Sequence, residues 1–161
     1  MSNLYTNINA KKFKYLTIIC CLFADLFVAG YIYIKFSNEQ TFKSSYDFAV
    51  GVIKQSNPHL AGQMVPEFYA QLWHVFMTTL VSIIIIYLLL HSIVYLLHHY
   101  GKSFAYGYIK LYAWSGGVLM TLFAIIGIQS LEGAMFLIPG IALLFVALGV
   151  KHFPDSKSTE E

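Results

Sequence analysis

A lone acid, Asp25, stands in the middle of the apolar run from Tyr15 to Ile34. A carboxylate in such a setting can bind a proton, hold a cation or anchor hydrogen bonds, and all three uses need partners at its own level. If the run crosses a bilayer, an acid at its centre costs roughly 2.5 to 3.5 kcal/mol on insertion scales, so it is expected to face protein. Measured from the lysine-bearing end of each apolar stretch, Asp25 is about 11 residues up, or roughly 16 Å at the helical rise. On the same measure His91 is about 9 residues up, and Tyr112 and Ser115 are about 8 to 11. Pro139 and Gly140 come to that depth about 11 residues from Lys151, where a proline leaves one carbonyl without its donor and bends a helix. The expected intramembrane polar site is therefore Asp25 with His91, Tyr87, Tyr112 and Ser115, beside a helix kink at Pro139 and Gly140.

Tyr87, His91, Tyr95, His98 and Lys102 follow one another at spacings of four, four, three and four, which keeps them within an arc of about 80° on one helix face. Two uses fit this stripe. One is a path carrying protons or cations to Asp25; the other is a row of interhelix hydrogen bonds ending in interfacial aromatics, a common form of packing in membrane helices. No cofactor is expected. Axial haem histidines normally face each other from two helices, whereas His74, His91, His98 and His99 share one stretch and His59 and His152 lie outside the spans. Cys20 and Cys21 are helix neighbours pointing to different faces, which makes a disulfide between them sterically poor. Nothing near them has zinc spacing, so they read as small apolar residues. With no paired carboxylates, no nucleophile beside a base and no metal set, the chain is expected not to be an enzyme.

On the acid alone, the chain resembles the small multidrug-resistance transporters, in which a membrane-embedded acid in the first of four helices exchanges protons for cationic drugs. The likeness is confined to Asp25. A long first loop, a polar N-terminal tail and a greater length depart from that family, so no site residue is carried over.

Four apolar stretches must position these groups. The longest is residues 66 to 100, where the only strongly polar side chains between Ala70 and Leu97 are Gln71, His74 and His91; a bilayer core needs about 20 such residues. The composition, 58% hydrophobic and 11% charged, is a membrane balance, against roughly 45 to 50% and 25% in soluble domains. The first span is expected at about 13–36, and its apolar run is longer than the roughly 7 to 15 residues of a signal peptide, with no A-x-A site at Ala24 or Ala29. The others are expected at about 66–100, opened by Pro66 and Glu67 in the favoured order, about 104–128 and about 133–151. Within the external loop, 37 to 65, Phe42, Tyr46, Ala49, Val50 and Ile53 recur at helical spacing. With Thr41 as N-cap and Ser56-Asn57-Pro58 as a stop, they predict a short amphipathic helix that lies on the membrane surface or caps the bundle.

The expected fold is an all-α integral membrane protein: four transmembrane helices in an antiparallel bundle, with a short amphipathic helix in the first external loop, one domain over 1–161 and a polar tail at 152–161. Lys11, Lys12, Lys14, Lys102, Lys110, Lys151 and Lys157 on one side outweigh Lys35, Lys43 and Lys54 on the other, which predicts both termini in the cytoplasm and a plasma (inner) membrane location. Ala113, Gly116, Gly117, Ala147 and Gly149 offer seams for close helix approach, within the chain or between copies. All ten basic residues are lysine, and without arginine's planar fork nucleic acid is not an expected partner. The expected function is that of a small non-enzymatic structural or accessory subunit of a membrane assembly, its partners being the lipid bilayer and a second copy or another membrane protein. The competing expectation is an oligomeric proton- or cation-coupled carrier or channel centred on Asp25.

Overall fold

The computed structural model describes Tyr5, residues 8 to 57, His59 and residues 66 to 153. Pro58, expected to stop the loop helix, and residues 154–161 of the tail, with Pro154 and Lys157, lie outside the described residues. Among the described residues all regular structure is helical: α1 Ala10–Phe36, α2 Glu39–Ser56, α3 Pro66–His99, α4 Ser103–Ile126, α5 Leu131–Met135 and α6 Leu137–His152. Among the described residues four stretches are long and apolar enough to cross a membrane, namely Ala10–Phe36, Glu67–His99, Ser103–Ile126 and Leu131–Val150.

The helix ends follow from local chemistry. Gly101 stops α3 in the left-handed conformation, φ 73°. Its amide donates to the His98 carbonyl at 3.0 Å and the Lys102 amide to that of Leu97 at 3.0 Å, the paired bonds that close a helix where glycine avoids Cβ strain. At α2 the cap is Asn38 rather than Thr41. Asn38 has extended backbone and its Oδ1 accepts from the Thr41 amide at 3.2 Å, which places Thr41 already inside the first turn. The fourth apolar stretch is interrupted at Phe136, the C-cap of α5 and N-cap of α6, not at Pro139 and Gly140 as expected. Pro139 is the third residue of α6, where no amide has an intrahelical acceptor, so the missing N–H leaves nothing unpaired and the discontinuity falls one turn earlier. The Gly140 amide donates normally, to the Phe136 carbonyl at 3.1 Å.

The chain forms two compact units, one drawing on the residues up to Phe27 and from Leu88 onward, the other spanning Val28–Tyr87. In the first, α4 packs on α6. The α4 face is a stripe of mostly small residues, Ala105, Ile109, Ala113, Gly117, Met120 and Ala124. Leu143, Val146, Ala147 and Val150 of α6 are buried with it. A Cβ on Gly117 would stand 3.0 Å from the Leu144 amide nitrogen and one on Gly140 2.8 Å from Thr121 Oγ1, so here the backbones themselves come close, as small residues permit. The C-terminal turn of α6 is tied down by Tyr106, whose hydroxyl donates to the carbonyls of Val150 at 2.6 Å and Phe153 at 3.1 Å. Tyr5 anchors the segment before α1: its hydroxyl donates to the Phe145 carbonyl at 2.7 Å, and its ring packs with those of Phe13, Phe145 and Phe153 against Gly149.

In the second unit, α2 sets Phe42 among Tyr69, Trp73 and Phe76 of α3, with ring centroids 5.9, 4.9 and 5.1 Å away, and Tyr46 against Tyr69 at 5.1 Å. Phe42, Tyr46, Val50 and Ile53 are half-buried along one side of α2, while Ala49 is exposed.

Candidate functional site

In the first unit, α1 buries a narrow face. Thr17, Cys21 and Asp25 recur at intervals of four, with Ala24 beside them, and all are 0% exposed; this spacing keeps side chains on one line down a helix. Cys21 and Ala24 are small, which leaves room for other side chains to reach Asp25. On α3 the pattern of a soluble helix is inverted. Among its described residues only His91, Tyr95 and His98 are buried, whereas Ile83, Ile86, Leu89 and Leu90 are each more than half exposed. Spacings of four and three hold the buried trio on one face.

Asp25 is the centre of what these faces enclose. His91 Nδ1 lies 2.8 Å from Asp25 Oδ1, and the Tyr112 hydroxyl of α4 donates to the same oxygen at 2.6 Å. The Tyr95 hydroxyl donates to the other oxygen, Oδ2. The network then extends outward, since His91 Nε2 is 2.7 Å from the hydroxyl of half-buried Tyr108. Aromatic geometry fixes the imidazole: the Tyr108 and Tyr112 rings lie nearly parallel, 11° apart, and His91 meets both edge-on at 84° and 83°.

Hydrogen-bond capacity shows what this arrangement can do. With Asp25 ionised and His91 neutral, Nδ1–H donates to the carboxylate and Nε2 accepts from Tyr108, so every group is paired. With His91 protonated, both ring nitrogens donate, and only the Tyr108 hydroxyl has to rotate to accept instead. The site therefore accommodates one additional proton without moving a heavy atom. Charge-assisted bonds of this kind are the strong ones, and a low-dielectric surrounding strengthens them further.

The expected residues are distributed unevenly. Asp25, His91 and Tyr112 come together. Ser115 does not join them: it is exposed, and its hydroxyl donates to the Leu111 carbonyl at 2.9 Å. Tyr87 is half-buried and belongs to the second unit. Pro139 and Gly140 are buried, with Gly140 against Thr121 and Met120 in the seam between α4 and α6. Tyr108 was not expected at the site, and Tyr95 was expected only on the stripe leading to it; each lies four residues from an expected member on its own helix, which is the signal that could have placed them there. Cys20 and Cys21 are free thiols, and among the described residues no three or more His, Cys, Asp or Glu side chains are grouped to hold a metal. Comparison of the chain with protein-family models, curated proteins and solved structures finds no match.

Proposed function

We propose that the protein is an integral membrane protein whose four apolar stretches cross the bilayer as an antiparallel bundle, and that it serves, without catalysis of its own, as a structural or accessory subunit of a membrane assembly. The observation that carries this reading is the closure of Asp25: 0% exposed, with both oxygens engaged by donors from α3 and α4. Lipid tails give apolar helices no hydrophobic reason to associate, so packing and interhelical hydrogen bonds must hold them. A carboxylate shared by three helices supplies such a tie. The inverted burial of α3, polar inside and aliphatic outside, supports insertion, since its exposed isoleucines and leucines match hydrocarbon. For α2, Phe48 at 75% exposure and Val52 at 49%, opposite the half-buried aromatic side, support a place in the interface.

Lysine asymmetry supports cytoplasmic termini in a plasma (inner) membrane. In a background with Cys20 and Cys21 replaced by alanine, cysteines introduced at Ser45 and Ser158 are expected to show opposite labelling by an impermeant reagent on intact cells. Equal labelling of the two would remove the lysine argument.

A second reading, a proton- or cation-coupled carrier or channel, is favoured by the bond between Tyr108 and His91 Nε2, which leads from the buried carboxylate to a half-buried tyrosine. Vesicles containing the purified protein and a trapped pH indicator separate the two. The structural reading expects proton leak under an imposed gradient equal to that of empty vesicles; flux that Asp25→Asn abolishes would replace it with the carrier.

A further inference from the structure

Where α1 ends and α2 begins, the second unit holds a cavity of about 220 Å³, every lining residue of which falls within Val28–Tyr87. Part of its wall is polar: Lys35 from the last turn of α1, Asn38 at the cap of α2, and Thr41 and Ser45 from the first two turns of α2. The rest is aromatic, made by Phe36, Phe42 and Phe76. Among the described residues Lys35 is the one charged group in that wall, so the cavity presents positive charge to whatever enters it.

Charge, hydrogen bonding and size narrow the occupant. A lysine ammonium is a point charge suited to phosphate. Asn38 commits its Oδ1 to the Thr41 amide, which leaves its NH2 group as a donor, and Ser45 commits its hydroxyl proton to the Thr41 carbonyl at 3.1 Å, which leaves its oxygen to accept. A phosphodiester needs donors and a glycerol hydroxyl needs an acceptor; the wall offers both. A cavity of about 150 Å³ holds the six carbons of benzene, so in proportion this one takes about nine non-hydrogen atoms, near the size of a glycerophosphate group and short of a drug-sized ligand. Apolar surface then continues past the cavity. Thr41, Ser45, Phe48 and Val52 follow at spacings of four, three and four, on one face of α2, and Phe48 and Val52 are exposed, as is Phe36. An acyl chain attached to the headgroup would cover these side chains, and a free phosphate would not.

We propose that this cavity binds the headgroup of an anionic phospholipid, with the phosphodiester on Lys35 and Asn38, the glycerol hydroxyls against Thr41 and Ser45, and acyl chain along Phe36, Phe48 and Val52. Basic pockets between membrane helices hold such headgroups by the same chemistry. Lys43 and Lys54 are exposed on α2 but line no part of the cavity, so the selection belongs to Lys35 and not to the charge of the loop at large. The site rests on the membrane reading above, which puts the junction of α1 and α2 at headgroup level, and it is independent of what Asp25 does.

Tryptophan quenching tests the site on the full chain in phosphatidylcholine vesicles. Trp73 packs against Phe42 and Phe76, with ring centroids 4.9 and 5.9 Å away, and Trp114→Phe leaves it as the single tryptophan. A minor share of the lipid is either phosphatidylglycerol or phosphatidylcholine, brominated on the acyl carbons nearest the headgroup. The brominated phosphatidylglycerol is expected to quench Trp73 as if bound about fivefold more tightly, the factor that one lysine contributes beside anionic lipid. Lys35→Gln is expected to abolish that preference, Lys35→Arg to keep it and Lys43→Gln to leave it unchanged. Equal quenching by the two lipids, a preference that survives Lys35→Gln, or one lost equally in Lys43→Gln would overturn the site. Should Lys35→Gln shift the Trp73 emission maximum, and so have disturbed the aromatic packing, Ser45→Phe fills the cavity with the lysine kept: a lost preference supports the site and a retained one overturns it. Soluble glycerol phosphate in excess, at matched ionic strength, is expected to change nothing; loss of the preference would assign the cavity to a free anion and overturn the lipid. Resistance to alkaline carbonate extraction reads insertion separately. Protein washed off the vesicles would overturn the membrane reading and this site together, and inserted protein with no lipid preference would overturn this site alone.

Discussion

Asp25→Leu is expected to cost on the order of 3 to 5 kcal/mol of folding stability, the range found when one partner is removed from a buried charged pair. The substitution leaves His91, Tyr95 and Tyr112 aimed at hydrocarbon. Each unsatisfied buried polar group costs about 1 to 3 kcal/mol, reduced where a side chain can turn away. Asp25→Asn should be milder, about 1 to 2 kcal/mol. Its oxygen, placed where Oδ1 stands, still accepts from His91 and Tyr112, and its amide donates to the Tyr95 oxygen in place of accepting from it. Because these residues act as one network, Asp25→Leu combined with His91→Leu should cost less than the sum of the two. Reversible unfolding in mixed detergent and lipid micelles measures the four variants against the unaltered chain. Should Asp25→Leu prove as stable as the unaltered chain, the clamp does not hold these helices together.

That network was partly legible before any coordinates. Depth along a helix depends only on residue count and rise, so the levels of Asp25, His91 and Tyr112 could be compared from the sequence. Direction around the helix could not. Ser115 has the right depth, but it lies three residues past Tyr112, about 300° further around the axis, and it faces outward with its hydroxyl satisfied by its own backbone. Tyr95 and Tyr108 have the opposite history: their Cα atoms stand about a turn, roughly 5.4 Å, from His91 and Tyr112, and a phenol ring spans that distance. Residue counting places backbones, so long side chains escape it.

The apolar stretches were the most legible part, since a run of about 20 apolar residues is a signal that no single misjudged position can erase. Breaks and caps depend instead on one or two residues. Proline at 139 announces a discontinuity but not its position, because a proline is accommodated equally well by a helix that restarts just before it, and Phe136 is where this one restarts. Asn38 and Thr41 are both competent N-caps, and the choice between them is made by which residue takes extended backbone. Thr17 offered no signal at all, since a threonine in an apolar helix is unremarkable until its buried hydroxyl is seen, among the described residues, to lack a hydrogen-bond partner.

The turn between α4 and α5 should tolerate substitution least of all. A Cβ at Gly133 would fall within the Gly127 backbone, against its carbonyl carbon, its oxygen and its Cα at once. No flexible side chain is available to give way there. The crossing is locked by short bonds: the Ser130 amide and hydroxyl both donate to the Gly127 carbonyl, at 2.8 and 2.9 Å, and the Gly133 amide donates to Ser130 Oγ at 3.0 Å. Gly133→Ala must therefore open the turn, losing these bonds and shifting α5 against α4, on which it packs. Overpacking typically costs 1 to 3 kcal/mol, and a clash with backbone alone belongs at the upper end, about 3 kcal/mol or more. Gly107→Ala is the control. It lies within α4 with nothing inside 4 Å of its Cβ position, so replacing a helix-interior glycine should be neutral or gain about 0.5 to 1 kcal/mol. The same unfolding measurement reads both. Equal stability of the two variants would mean that the approach of Gly127 to Gly133 is not a feature of the folded protein, and the expected loss at Gly133 with none at Gly107 would place the constraint in the turn rather than in α4 at large.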